Sequence, residues 1–509
     1  MTRRSVGLFA GLFCLYASFS PTKIAGMGYT GEIIACAEQL ATRLLGGSGP
    51  IDWPRHGFLE PLLQLPFILP AQLLFGRSAA RAETLASFHP ILMTALLCAL
   101  LFAWAQRLTT ARRAFAVTIG AAFATMLWPY AYIGLEPSQS FFLLLAAWCA
   151  LVETRRGWGA TLGFAVAAAI ASAVKSNGIF LLPALGWLGI CFFRDGRRFD
   201  AGKVARLGLV AGIVGGVFAL GGWTRSFFWA KQGGGAAMFV SPRFLIEGPI
   251  DFLINLWGLL TSANKGLAIY APLAALGLLG MRRAFRAEPR LAVFALLALG
   301  GTAGAISMLR VWAEETWGPR YLHCAIGPLA LCLAAAIGRV RLDRPVRVVL
   351  AGAFAMGLTV SFLGASFYYG LLQAAATRAN LCTLENLQFD PHLNHVKFNA
   401  ALLAIWARGR LGQEDRAAPW PREPFWWFEA PADAPAAKTV DLREYAAPQP
   451  IWTRGWRSAG AFPKMRAAAL LLLVLGLGGL WRAGRSLADE GDEARQIGGA
   501  KDGQPGRAG

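Results

Sequence analysis

Apolar positions in this chain gather into runs of about 15–23 residues, close to the roughly 20 that a helix needs to cross a bilayer. The runs predict membrane-spanning helices near 5–22, 87–106, 114–133, 138–152, 158–174, 178–193, 207–223, 267–281, 291–309, 322–338, 348–370 and 467–481. The fold class is therefore an all-α polytopic membrane protein of about twelve transmembrane helices. The first twenty residues, "MTRRSVGLFAGLFCLYASFS", could pass for a secretory signal; we read them as an uncleaved first span, because that fits the topology that follows.

Polar connections alternate in character. "QRLTTARR", "ETRR", "RDGRRFDAGKVAR", "MRRAFRAEPR", "GRVRLDRPVR" and "WRAGR" are rich in arginine, as is "TRR" at the start. The connections between them, "YIGLEPS", "KSNG" and "RVWAEETWGPR", are poorer in it, and they share a side with the longer segments 23–86, 224–266 and 371–466. Basic loops stay cytoplasmic, so both termini are expected inside and the long segments outside. "GFLEPLLQLPFILPAQLLFG" (57–76) is apolar enough to tempt a span, but Pro61, Pro66 and Pro70 argue against a regular spanning helix. A span there would also invert every later loop, so the segment is read as interfacial or re-entrant.

The chain divides into a transmembrane domain over 1–370 with outer loops 23–86 and 224–266, and a Pro/Trp-rich segment over 371–466, a small domain or a lid. A last span over 467–485 and a polar tail over 486–509, expected to be disordered, complete it. The hydrophobic share of 56% and the charged share of 15% exclude a soluble globular protein. The net charge of +20 reads as cytoplasmic loops facing membrane lipid, not as a nucleic-acid partner. The eight cysteines show no CxxC or Cys/His metal spacing; a Cys36–Cys382 disulfide is possible and nothing demands it.

Within these boundaries no Asp, Glu, Lys or Arg falls inside a span, whereas ion-coupled transporters usually carry intramembrane charges. Chemistry is then expected at the outer surface. Glu32, in "YTGE" just after the first span, can act as a general base or simply open a helix behind Thr30. Asp52, Arg55, His56 and Glu60 share the short stretch "IDWPRHGFLEP": Arg55 and His56 suit a phosphate and a second carboxylate there suits base or metal duty, or the loop is solvated with its Arg on lipid headgroups. Glu136 in "LEPSQS" reads first as a helix-start residue and second as a substrate contact. Lys175 in "VKSNG" reads as snorkelling to the interface, with binding of a lipid phosphate as the sharper alternative. Lys265 and Tyr270 in "TSANKGLAIYAP" offer a phosphate cradle at a helix start, although both types are ordinary at interfaces. In "VWAEETWGPRYLHC", Trp312 and Trp317 fit an aromatic belt and Glu314 and Glu315 a solvated turn. Gly318-Pro319 breaks the chain and sets Arg320 and Tyr321 at the next helix start, where a bidentate anion donor is well placed.

Two of these stretches together resemble a known family. "SANKGLAIYAPLA", one span, then "VWAEETWGPRYLHCAIGPL" is similar to a pairing in bacterial membrane proteins of the GT-C glycosyltransferase superfamily, with its Gly-Leu-x-x-Tyr-x-Pro and Trp-x-x-x-x-Trp-Gly-Pro-Arg-Tyr-Leu elements. The opening span, a first outer loop with a carboxylate, and "PLLQLPF" resemble the protein mannosyltransferase and lipid A aminoarabinose transferase relatives. The outline covers residues 1 to about 370, the sharp motifs only about 30 residues.

The resemblance implies a polyprenyl-phosphate-linked sugar donor and inverting transfer of a hexosyl or pentosyl group to an envelope glycan, lipid or protein, at the outer face of a bacterial inner membrane. It implies a carboxylate base in the first outer loop; Glu32 matches best although the family commonly has Asp, and Asp52 is the reserve. It assigns the donor phosphate to Arg320, then Lys265, with Arg55 and His56 beside them, and leaves Trp317, Tyr321, Tyr270 and Glu136 as substrate contacts. No cofactor is expected; no clear ligand set for a metal is present, and a divalent ion stays open. A lipid-linked sugar flippase, an O-antigen ligase or polymerase, and a relative that has lost its base are the competing readings. The topology itself is open to test: reporter fusions within 224–266 are expected to be active only for an extracytoplasmic reporter, and fusions within 486–509 only for a cytoplasmic one.

Overall fold

The structure, a computed structural model, describes residues 3–19, 29–76, 85–132, 135–153, 157–194, 201–231, 245–309, 317–338, 341–367, 370–380, 393–411, 413, 419–420, 439–446 and 467–485. In chain order the helices are α1 (Arg3–Phe19), α2 (Tyr29–Leu44), α3 (Leu59–Phe75), α4 (Phe88–Leu108), α5 (Ala111–Phe123), α6 (Leu127–Tyr130) and α7 (Glu136–Leu151). There follow α8 (Trp158–Ala173), α9 (Leu182–Phe193), α10 (Ala201–Lys231), α11 (Pro249–Thr261), α12 (Leu267–Tyr270), α13 (Pro272–Leu279) and α14 (Met281–Ala287). The last are α15 (Pro289–Ser307), α16 (His323–Ile337), α17 (Arg344–Ser366), α18 (Gly370–Arg378), α19 (His395–Arg410) and α20 (Ala467–Arg485). A two-stranded antiparallel ribbon pairs β1 (Pro419–Trp420) with β2 (Val440–Asp441).

The protein is an all-α polytopic membrane protein. Seven helical stretches among the described residues are long and apolar enough to cross a membrane, and each falls on an expected span. Three further expected spans are the shorter helices α1, α7 and α8. The other two are broken: 114–133 ends in α5 and restarts as α6, and 267–281 divides at Ala271 between α12 and α13. The second break has a local cause, because Pro272 cannot donate the backbone bond that would continue α12. Residues 59–75 depart from expectation in the other direction. They form one continuous helix despite Pro66 and Pro70, packed along α2.

The helix α16 is the centre of the bundle. Every residue in it but Ala336 is buried, and it packs on α4, α5, α7, α13, α14 and α15. At the other extreme α10 and α20 expose most of their apolar length, including Trp223, Phe227 and Trp481, as lipid-facing helices must. Two polar ends result. At one, Arg113 donates to the carbonyls of Ile337 (3.1 Å) and Gly338 (2.8 Å), joining two arginine-rich connections. Helix α4 spans about 32 Å from there to the opposite end, where the starts of α3, α7 and α16 meet.

The described residues after 370 build a small core of their own around Leu372, Leu393, Phe398, Leu402, Leu442 and Tyr445. It is tied to the bundle by Asn399, which donates to the Leu363 carbonyl at 3.1 Å. Cys36 is a free buried thiol, pushed up to about 12 by desolvation and the nearby Asp52; Cys382 lies outside the described residues, as does the tail over 486–509.

Close packing of α13 on α16 gives a stability test. A Cβ at Gly277 would fall on the Leu329 carbonyl, whereas one at Gly300 in α15 would meet nothing within 4 Å. We expect Gly277→Ala to lower stability by about 1–3 kcal/mol and Gly300→Ala to leave it unchanged or raised, read by thermal unfolding of the purified protein.

Candidate functional site

The site is built around the first turn of α7. In "LEPSQS" the ring of Pro137 presets helical geometry and forfeits no bond in the first turn, so a helix starts there. Glu136 secures the start by accepting from the Leu135 N–H at 3.1 Å. Glu136, Ser138, Gln139 and Ser140 are all buried, which makes this turn a polar plug between helices. Gln139 hooks it to the end of α8 by donating to the Ala171 carbonyl and to Asn177, both at 3.3 Å.

Lys175 comes from the junction after α8. The chain turns there into a tight helix over Ser176–Leu181, and Gly178 is required because a Cβ would run into the Ser172 carbonyl. Lys175 is thereby turned inward, not outward. Its ammonium donates to Glu136 Oε1 at 2.6 Å with both side chains almost wholly buried, so the snorkelling reading is replaced by a buried ion pair. Burial on that scale is tolerated only because each charge has a partner.

Arg320 enters from the third side. Gly318 has φ +60°, and a Cβ there would come within 2.7 Å of the Tyr270 ring. With Pro319 it forms the turn that leads into the short helix over Arg320–Leu322 and then α16. The Arg320 Nε lies 3.6 Å from Glu136 Oε1. Tyr321 lies against both cations, 5.1 Å from the Lys175 ammonium and 5.2 Å from the Arg320 guanidinium, within range of its π face. Trp317 is buried between Tyr270 (5.3 Å) and His395 (5.9 Å), and its carbonyl accepts from the Tyr130 hydroxyl at 2.9 Å; the aromatic-belt reading does not hold for it.

The segment between α1 and α3 reaches this cluster through His56. Arg55 grips Glu32 with Nη2 on Oε1 at 2.6 Å and Nε on Oε2 at 3.2 Å. The imidazole Nδ1 of His56 sits 3.0 Å from the hydroxyl of Ser176, the residue after Lys175. Desolvation, then Lys175 and Arg320, push His56 well below its ordinary value, against a smaller pull from Glu136. The imidazole is therefore neutral at neutral pH. Arg55, Lys175 and Arg320 here face Glu32 and Glu136, and the buried carboxylate of Glu60 joins the same corner through Ser138.

Of the residues singled out in the sequence, the structure brings together Glu136, Lys175, Arg320, Tyr321, His56, Arg55 and Glu32. Asp52 stands apart in the exposed part of the loop, exchanging hydrogen bonds with Gln39 at 2.7 and 3.1 Å. Lys265 is buried in its own turn, whose Asn264 and Ala263 accept from Asn394. Trp312, Glu314 and Glu315 lie outside the described residues. Two histidines were not anticipated. His323 places Nδ1 2.7 Å from Ser140 Oγ, and His89 lies 3.2 Å from Glu60, which also accepts from Ser138. Each histidine sits within or beside an apolar run, and that polar interruption was the available signal. Among the described residues no three His, Cys, Asp or Glu side chains converge as a metal site would require.

Fold and site define the class: a polytopic helical membrane protein with a cluster of buried ionisable side chains at one end of its bundle. Among solved structures the chain is similar to ArnT from Cupriavidus metallidurans in the apo state, at 14% identity, covering 95% of this chain and 76% of that one, with a TM-score of 0.48. It is similar also to the same protein bound to undecaprenyl phosphate, with the same identity and coverage and a TM-score of 0.42. No family model and no curated protein matches the chain.

Removing one partner of the buried pair is the direct test of this cluster. Glu136→Gln strands two buried cations and is expected to cost about 3–5 kcal/mol, most of it recovered by adding Lys175→Met. Denaturant unfolding of the two variants checks this.

Proposed function

We propose that this protein is a GT-C type membrane glycosyltransferase, moving a sugar from a polyprenyl-phosphate donor to a hydroxyl of an envelope glycan, lipid or protein at the outer face of the inner membrane. One observation carries the reading: two buried cations, Lys175 and Arg320, share a single carboxylate, Glu136, where helix ends meet. The pairing offsets the cost of burying the two cations, and both remain at the place where a lipid phosphate would arrive in this reading. A lipid phosphate suits it, because its tail can stay among the helices while its headgroup reaches the cluster.

The residues divide the reaction between them. Lys175 and Arg320 stabilise the charge that develops on the departing phosphate. Tyr321 orients both cations. Glu32, in the first turn of α2, is the carboxylate we assign to take the proton of the acceptor hydroxyl as that oxygen attacks the anomeric carbon. Attack from the face opposite the leaving phosphate inverts that carbon. Glu136 acts through the cations as a positioning residue. Asp52, held by Gln39 away from the cluster, is the weaker base candidate, and Lys265 is a more remote contact than Lys175.

In a strain lacking the protein, a polyprenyl-phosphate sugar is expected to accumulate while one envelope decoration is lost. Wild type restores the decoration. Arg320→Ala and Lys175→Ala are expected to lower transfer by about 10²–10³-fold and to weaken binding of a polyprenyl monophosphate. Glu32→Gln abolishes transfer with binding retained. Full transfer by both Glu32→Gln and Arg320→Ala would sink the reading.

A further inference from the structure

We infer that Arg55 is an exchange residue: it covers the Glu32 carboxylate until the donor arrives, then moves to the donor's phosphate and frees the base. This rests on the transfer reading above and adds an order of events to it, donor before acceptor.

The geometry of the pair is the starting point. Arg55 engages both oxygens of Glu32, Nη2 on Oε1 at 2.6 Å and Nε on Oε2 at 3.2 Å, with its own backbone N–H directed at Oε2 at 3.5 Å. A carboxylate held in this bidentate way has a lone pair on each oxygen committed to the guanidinium, which leaves fewer open sites for a substrate proton. Glu32 is therefore less available, in this arrangement, than its proposed role requires.

The pair is also easy to open. Arg55 is 42% and Glu32 31% exposed, against 2% and 1% for Lys175 and Glu136. Water reaches both partners of the loop pair and can solvate each charge when it opens, which it cannot do for the buried pair. The buried pair has no comparable freedom, so the cation site stays in place while the loop pair rearranges.

Position supplies the third element. The backbone that carries Arg55 is fixed beside the cation cluster. His56 is anchored to Ser176, and Gly57, at φ +91°, lies so close to α10 that a Cβ would approach Thr224 Oγ1 at 3.1 Å. The Arg55 side chain, by contrast, is 42% exposed. It extends toward Glu32 and lies 5.7 Å from the Phe228 ring. A phosphate held by Lys175 and Arg320 offers this guanidinium a second bidentate partner from the same anchor point.

The transfer step then balances. The acceptor hydroxyl gives its proton to the freed Glu32 as its oxygen bonds to the anomeric carbon. The bond from that carbon to the phosphate oxygen breaks, and its electron pair leaves on the phosphate, which Arg55, Lys175 and Arg320 hold. Without a donor the base stays covered.

The test uses the full-length protein in lipid nanodiscs, with Glu32 labelled by a water-soluble carboxyl reagent and quantified by mass spectrometry. Binding of a polyprenyl monophosphate is measured in parallel. In wild type, saturating polyprenyl monophosphate is expected to raise Glu32 labelling several-fold. In Arg55→Ala, labelling is expected to be fast without ligand and to rise no further. Should that variant not fold, Arg55→Lys, which keeps the charge but loses the bidentate grip, is expected to show raised ligand-free labelling. Inorganic phosphate forms a separate arm. A response to both ligands supports the exchange with the phosphate alone as trigger, and a response to the lipid only supports it with the tail required. Binding with Glu32 labelling unchanged or slowed would overturn the exchange and leave the transfer reading standing. No binding by wild type would overturn both.

Discussion

A lysine ammonium and a glutamate carboxylate 2.6 Å apart, both sealed from solvent, set the terms for the rest of this molecule. Lys175 cannot be charged in that position without Glu136, and neither can sit there unless its chain segment arrives from the right direction. Each is therefore a constraint on a helix end: Glu136 on the start of α7, Lys175 on the end of α8. Arg320 adds the start of the segment leading into α16 as a third. The strongest electrostatic demand in the structure thus lies where three helices must meet.

Packing and chemistry answer to the same point. Helix α16 is buried nearly throughout, and its entry through Gly318 and Pro319 fits only because Gly318 has no side chain to strike Tyr270. Trp317 fills the space beside it and is clamped by Tyr130, Tyr270 and His395. The apolar core holds the direction of approach, and the ion cluster uses it. The loop that carries Glu32's partner Arg55 is different in kind. It is more exposed and anchored at His56 and Gly57, so it suits a part that changes during a cycle.

Much of the fold was legible in the chain itself. Ten of the expected spans are single helical stretches among the described residues, because an unbroken apolar run has no other stable form in a bilayer. The two broken ones carry Pro or polar interruptions whose effect depends on neighbours. The continuous helix through Pro66 and Pro70 shows the reverse case, in which packing on α2 overrides a local breaker. At the site, Arg320 stood out because arginines are scarce in the connections on its side. Lys175 and Glu136 did not, since a lysine or a glutamate at a helix end has an ordinary explanation in capping or snorkelling.

The sequence alone determined the class: apolar run lengths, alternation of arginine-rich connections, and charge kept outside the spans follow from the cost of polar groups in hydrocarbon. Tertiary structure decided which of the ionisable groups meet. Glu136 and Lys175 are 39 residues apart, and Ser140 and His323 are 183 apart. A carboxylate is a cap, a base or a counter-ion according to what burial brings to it, and burial is a property of the assembled bundle, not of any local stretch.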